Sequence, residues 1–203
     1  MPRQKNAGEM HNIKNSVTLE TQRLILRPFM VSDAEEMYLN WGGDPDVTRY
    51  MFHEAAASIK ETKERIRGWM LTFNSADLNI WNYLAVTLKD GAKQIGAIFY
   101  AHTNIEARSA EIGYEIGKRW WHSGYSTEAL SALLEYLFEI KKLNRITGVH
   151  DTRNPYSGAV MKKCGMKYEG TMRRERFLKG EMIDRDHYAI LAEERRGELR
   201  IEN

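Results

Sequence analysis

The residues best equipped to do chemistry in this chain are Trp120-Trp121-His122-Ser123-Gly124-Tyr125-Ser126-Thr127-Glu128-Ala129-Leu130. A strand-like segment, Ala110 to Gly117, runs into them, and a strongly apolar helical pattern follows at once. A loop that opens directly into a helix leaves the first backbone N–H groups unpaired at the positive end of the helix dipole. Phosphate binds such an end when no bulky side chain blocks the approach. Ser123, Gly124 and Ser126 keep the approach open. His122, Ser123, Gly124, Tyr125, Ser126 and Thr127 therefore read as a pyrophosphate cradle, and the ligand as a nucleotide-bearing cofactor.

Acid–base candidates lie just upstream. In a strand, Glu111, Gly113 and Glu115 share one face while Ile112, Tyr114 and Ile116 share the other. A carboxylate on a central strand beside a cleft can take a proton directly or through water. Glu111 is the candidate base on that reading, weighed evenly against an ordinary ion-paired or solvent-facing glutamate. Cys164 as a nucleophile needs a basic partner; it reads better as a small buried residue ahead of Gly165. His150-Asp151 and Asp184-Arg185-Asp186-His187 lack zinc-ligand spacing, so no metal is expected. Trp41, Trp69 and Trp81 read as core, Trp81 or Tyr83 as a pocket wall, and Trp120-Trp121 as packing beneath the loop.

The positioning elements follow from periodicity. Leu19 to Phe29 alternates like a strand, with Leu24, Leu26 and Pro28 on one side. Ser32 with Glu35 forms a candidate capping box for a helix ending near Gly42-Gly43. Asp44-Pro45-Asp46 starts a second turn or helix. Ser58 to Phe73 predicts a longer helix with Ile59, Ile66, Trp69 and Met70 on its apolar stripe. Ile80 to Leu88 and Gln94 to His102 predict strands joined at Asp90-Gly91. After the Ser109–Gly117 strand and the loop, a helix is predicted from Thr127 to Ile140, with Leu130, Leu133, Leu134 and Leu137 facing a sheet. Arg145 to His150 is a short buried strand, and Pro155 to Cys164 a helix entered at Asn154 and stopped at Gly165. Tyr168 to Leu178 and Met182 to Leu191 close the chain as a strand pair turned at Lys179-Gly180. The order β-α-α-β-β-β-α-β-α-β-β fits a single α/β (α+β) domain.

Bulk properties narrow the class. The chain has 203 residues, 42% of them hydrophobic, enough for one sizeable core. A net charge of +2 with interleaved acids and no basic–aromatic motif argues against nucleic acid as partner. One cysteine excludes an internal disulfide and fits a reducing, cytoplasmic setting. No apolar run approaches the ~18 residues of a membrane span. Residues 1–16 read as a disordered leader, 17–193 as the domain and 194–203 as a tail.

Four passages, in order, resemble the GCN5-related N-acetyltransferase (GNAT) superfamily, and within it the ribosomal-protein N-terminal alanine/serine acetyltransferase branch. They are Glu20-Thr21-Gln22-Arg23-Leu24-Ile25-Leu26-Arg27-Pro28 with Ser32-Asp33-Ala34; Ala110 to Gly117 with the loop and Thr127-Glu128-Ala129; Asn154-Pro155-Tyr156-Ser157 through Lys163-Cys164-Gly165-Met166; and Glu169-Gly170-Thr171 through Gly180 and Asp184 to Tyr188. Two departures stand out. The branch often has glycine at His122 and a basic residue at Ser123, and the tyrosine acid of the wider family is replaced by Met161.

The resemblance implies a splayed mixed sheet flanked by helices, acetyl-CoA as donor and a primary amine as acceptor. It implies that the pantetheine arm pairs like an added strand with Glu115, Ile116 and Gly117. It makes Ser157 the leaving-group acid, Asn154 its cofactor-contacting neighbour, and Glu175 a second choice of base. A backbone N–H near Ile116 is the matching oxyanion donor, a role worth about 3 kcal/mol. At pH 7 an α-amine near pKa 8 loses its proton for about 1 kcal/mol, a lysine for over ~4 kcal/mol. That favours a peptide N-terminus or a small-molecule amine, in direct transfer through a ternary complex. A non-catalytic acyl-CoA-binding module on the same fold is the rival reading. The oligomeric state, monomer or homodimer, stays open at this point.

Overall fold

The computed structural model describes residues 17–73 and 75–195. The expected leader over 1–16 and most of the expected tail lie outside the described residues. Eight strands form one sheet: β1 (Leu19–Glu20), β2 (Leu24–Pro28), β3 (Asn82–Leu88), β4 (Gln94–Asn104), β5 (Ser109–Ile116), β6 (Arg145–Asp151), β7 (Lys167–Leu178) and β8 (Glu181–Leu191). Their spatial order is β1-β2-β3-β4-β5-β6-β8-β7. Every neighbouring pair is antiparallel except β5–β6, which is parallel.

That parallel pair is short, and its shortness makes the site. Ser109 to Ile112 pair with Arg145 to Gly148, and the ladder stops there. A Cβ at Gly148 would meet both Ile112 Cδ1 and Met161 Sδ at 3.0 Å, so the helix carrying Met161 presses on the last rung. Beyond it the strands part, and the start of that helix stands opposite Tyr114 across the gap.

Helices cover both faces. On one lie α4 (Tyr125–Glu135), continued by a wide turn over Tyr136–Ile140, and α5 (Pro155–Lys163). Leu130, Leu133, Leu134 and Leu137 are fully buried there against Ile98, Ile112 and Ile146, as their i, i+3, i+4, i+7 spacing requires. On the other face lie α1 (Ala34–Met37), α2 (Pro45–Thr48) and α3 (Ile59–Thr72). Together with the wide turn over Tyr38–Gly42 that follows α1, they bury Met37, Trp41, Val47 and Ile66 against Ala85, Ala97 and Phe99. Gly113 is glycine because the Phe99 ring lies on it; a Cβ would come within 2.2 Å of Cε2. Gln94, fully buried, ties the layers by accepting from the Trp41 indole at 2.7 Å and donating to the Gly96 carbonyl at 2.6 Å.

Local expectations are corrected at three places. The first helix opens as a tight turn over Val31–Asp33, and Asp33, not Glu35, accepts from the Met30 N–H at 2.8 Å. Met70 points outward rather than along the α3 stripe, because the helix buries only the side bearing Thr62 and Ile66. Helix α4 begins at Tyr125, two residues before Thr127, because Gly124 in the left-handed region (φ 82°) turns the chain directly into it.

Candidate functional site

Where β5 and β6 part, a cleft of about 520 Å³ opens, within the ~300–1,000 Å³ range of ligand pockets. Its wall combines the free end of β5 (Tyr114, Glu115, Ile116), the loop and start of α4 (His122, Gly124, Tyr125, Ser126, Thr127), the start of α5 (Asn154, Ser157) and residues of α2. The Gly117 N–H donates to the Ile95 carbonyl at 2.8 Å, toward β4. Backbone groups alternate sides along an antiparallel ladder, so the N–H groups of Ile116 and Tyr114 face the cleft. The Ile116 carbonyl, on the same side, accepts from the Trp121 indole at 2.7 Å. Trp121 therefore stands on the cleft wall, 40% exposed, not beneath the loop.

At the loop end, α4 starts without a side-chain cap. A Cβ on Gly124 would find no heavy atom nearer than Arg23 Nη2 at 3.4 Å, so the approach is open. Arg23 holds the loop from below. Its Nη1 donates to the Ser123 carbonyl at 3.0 Å, its Nε to Glu128 at 2.6 Å, and its guanidinium lies 4.3 Å from the centre of the Tyr125 ring. Burial alone would raise the Glu128 carboxyl, but donation from Thr21 Oγ1 and from Arg23 outweighs it and holds it low. His122 adopts a left-handed φ of 58° and meets the Tyr156 ring edge-on across the cleft mouth. Lys163 lines the cleft with no ion-pair partner among the described residues.

At the α5 end, the Tyr114 hydroxyl donates to the Ser157 carbonyl at 2.7 Å and lies 3.0 Å from Ser157 Oγ. Burial pushes the Tyr114 phenol far above its ordinary range, so it keeps its proton. The two oxygens form one hydroxyl chain at the cleft wall.

The acidic residues separate by environment. Glu175 is held below its usual range because bonds from Arg185 at 2.9 Å and His187 at 2.8 Å outweigh its burial. Glu111 is half-buried, its carboxyl raised by desolvation against the opposing charges of Arg185 and His187. It stands on the same face as Glu115 but outside the cleft wall. Glu115 lines the cleft and is buried, with His53 Nε2 at 3.3 Å. Burial also pushes the Cys164 thiol up, and its sulfur contacts Ser131 Oγ and the Thr127 carbonyl, both at 3.5 Å. That is the environment of a packing residue, not of a thiolate.

Of the residues singled out in the sequence, the cleft gathers Glu115, Ile116, His122, Gly124, Tyr125, Ser126, Thr127, Asn154 and Ser157. Ser123 and Gly117 stand behind it. Gly117 is glycine for packing, since a Cβ would meet the Asn40 carbonyl at 2.4 Å. Trp81 and Tyr83 pack on Phe99 and do not line the cleft itself, although Tyr83 stands close enough to Glu115 to feel its charge. Arg23, His53 and Tyr114 were missed as site residues. Arg23 and Tyr114 sat inside motifs already quoted, whereas nothing local marks His53.

The acetyltransferase (GNAT) domain model matches residues 23–167. The chain is 32% identical over 173 residues to the uncharacterised N-acetyltransferase YoaA of Bacillus subtilis, covering 85% of this chain and 96% of that one. Over a shorter 76 residues, 37% of this chain and 38% of the other, it is 30% identical to the ribosomal protein uS5-alanine N-acetyltransferase of Escherichia coli. A GNAT-family acetyltransferase from Bacillus anthracis superposes with a TM-score of 0.76 at 26% identity, over 87% of this chain and 99% of that one. The fold, the cleft and the sequence agree, and the chain belongs to the GNAT family as an N-acetyltransferase.

Proposed function

We propose that the protein acetylates a primary amine, either a peptide or protein N-terminus or a small-molecule amine, with acetyl-CoA as donor and both substrates bound together. The observation that carries this reading is the parting of β5 and β6 beside the uncapped start of α4. One side of the cleft offers free strand N–H groups to an amide-bearing arm, the other an open helix terminus to pyrophosphate. His122, Ser123, Gly124, Tyr125, Ser126 and Thr127 are the pyrophosphate loop, and Glu115, Ile116 and Gly117 the strand end that takes the arm. Arg23 holds the loop, and Lys163 adds a cation with no ion-pair partner among the described residues.

Bound acetyl-CoA supplies an acetyl group on a good leaving sulfur. The chain's own groups then have three tasks. The Ile116 N–H faces the cleft as oxyanion donor. Ser157 Oγ delivers a proton at the leaving side and regains one from solvent. The Tyr114 hydroxyl steadies the serine oxygen by hydrogen bond while keeping its own proton, and Asn154 flanks the serine at the entrance to α5. Glu111 and Glu115 share one face of β5 as the two candidate proton acceptors for the amine, and of the two only Glu115 lines the cleft. In balance, one C–N bond forms and one C–S bond breaks, the ammonium gives up two protons, sulfur takes one from Ser157, the serine is refilled from solvent, and one proton is released net. The α-amine preference follows from its lower cost of deprotonation, and the partial match to a ribosomal-protein alanine acetyltransferase supports a peptide N-terminus.

Saturating acetyl-CoA, at a hundred times its Kd, stabilises the fold by roughly 2.7 kcal/mol. For a domain of this size the expected rise in Tm is about 5–10 °C. A scan with and without acetyl-CoA checks it, and an unchanged Tm counts against the cradle.

A further inference from the structure

Three carboxylates are buried among the described residues, and two are fully paired. Asp33 takes both guanidinium nitrogens of Arg27 and the Met30 N–H, all at 2.8 Å. Asp151 takes three donors from Arg153, at 2.6 to 2.9 Å. Glu115, 4% exposed, has only the His53 ring beside it, at 3.3 Å and short of hydrogen-bond geometry, so neither oxygen takes a well-placed donor from the described residues. A buried carboxylate without donors is costly, and in a ligand cleft the missing donor is a ligand's.

His53 stands nearest, Nε2 at 3.3 Å, and it too has no hydrogen-bond partner at that nitrogen. Its other nitrogen is placed for two protonation states. Nδ1 lies 3.1 Å from Arg65 Nη1, which suits a neutral ring that accepts. It also lies 3.2 Å from the Glu54 carbonyl, which suits a charged ring that donates. The remaining titratable groups facing the pair are Tyr83 from β3 and Arg65 from α3, itself bonded to Glu61. On the neighbouring cleft wall Val47, Tyr50 and Met51 suit an aliphatic stem, while the charged Asp46, Arg49 and Lys118 beside them are tied to one another.

We propose that Glu115 is the seat of the acceptor's ammonium and takes its proton, with His53 standing in for that ammonium while the seat is empty. The proposal rests on the acetyl-transfer reading. In the step, one N–H bond of the ammonium breaks, its electron pair stays on nitrogen as the attacking lone pair, and the carboxylate becomes a carboxylic acid. The cation arriving at Glu115 displaces the His53 ring as the carboxylate's partner, so His53 is a positioning residue and Glu115 the catalytic one.

The test uses the full chain and three probe amines: a peptide with an alanine N-terminus, one with a serine N-terminus, and spermidine. Thiol release, the Tm shift with acetyl-CoA and the His53 ring titration by NMR are measured for wild type, Glu115→Gln, Glu111→Gln and His53→Gln. Glu115→Gln is expected to keep the acetyl-CoA shift and lose at least about a hundredfold in kcat/KM at pH 7. That loss shrinks as pH rises and the amine deprotonates in solution. The His53 midpoint, raised above 6.5 because Glu115 outweighs its burial, falls in Glu115→Gln and also in wild type saturated with amine. In His53→Gln the KM for amine falls at pH 6.5, where the ring competes for the seat. Glu115→Gln within threefold of wild type, a loss in Glu111→Gln instead, or equal loss of acetyl-CoA binding overturns the seat alone. A wild type that releases no thiol with any probe overturns the acetyl-transfer reading and the seat with it.

Discussion

Gly124→Val is expected to weaken acetyl-CoA binding by at least about a hundredfold while the domain still folds. Two costs add. Valine at φ 82° enters a region that a β-branched residue scarcely visits, at a cost on the order of 1–3 kcal/mol. Relieving it by turning the chain moves the Tyr125, Ser126 and Thr127 N–H groups off a shared focus. A branched side chain also fills the approach that is now open down to Arg23. A hundredfold corresponds to about 2.8 kcal/mol, which these effects supply together. Gly124→Ala, strained but small, falls between valine and wild type. The check is a pair of isotherms with acetyl-CoA alongside circular dichroism of each variant. Wild-type affinity in Gly124→Val removes the loop from the site.

Ser157→Ala is expected to lower kcat by roughly a hundredfold, the lower end of what general acids contribute. Acetyl-CoA affinity changes little, because binding rests on backbone donors elsewhere in the cleft. The proton path is short. Tyr114 has one proton, given to the Ser157 carbonyl at 2.7 Å, with Ser157 Oγ 3.0 Å away as its alternative acceptor. When Ser157 gives up its proton, the Tyr114 hydroxyl swings to the serine oxygen. Tyr114→Phe therefore loses turnover less than Ser157→Ala, and the two losses do not add, as expected of groups acting as a unit. Presteady-state thiol release separates the chemical step from product release. Undiminished turnover in Ser157→Ala takes the serine out of the mechanism.

Much of this architecture is legible in the chain because its signals are local. The leucine spacing of α4 requires one buried face, and Lys179-Gly180, with φ values of 46° and 96°, is the two-residue hairpin turn its residue types call for. The cradle is legible for the same reason: small residues immediately ahead of an apolar helical run. Distant pairings are not. Arg23 and Glu128 lie 105 residues apart, and no periodicity announces that Arg23 ties the loop at Ser123 to Glu128 on the helix that follows it. His53 sits in an irregular stretch, so only the fold of α2 and α3 over β5 brings it to Glu115. Glu111 and Glu115 share a strand face and are equivalent by alternation, but the ladder with β6 ends at Ile112, which leaves Glu115 alone on the cleft wall. The helix-start corrections have one cause. Asp33 through its carboxyl on the Met30 N–H and Gly124 through its left-handed φ each set a first turn locally, and residue type signals such a start only to within a couple of positions.

The central claim is that the cleft joins a thioester to an amine, and thiol release from acetyl-CoA across a broad panel of primary amines tests it most directly. The panel runs from peptides with free alanine and serine N-termini through polyamines to aminoglycosides. The account predicts saturable, amine-dependent release by wild type, fastest with amines of low pKa at pH 7. Acetyl-CoA binding with a clear rise in Tm, but no amine-stimulated release anywhere in the panel, would contradict it and leave an acyl-CoA-binding module on an acetyltransferase fold.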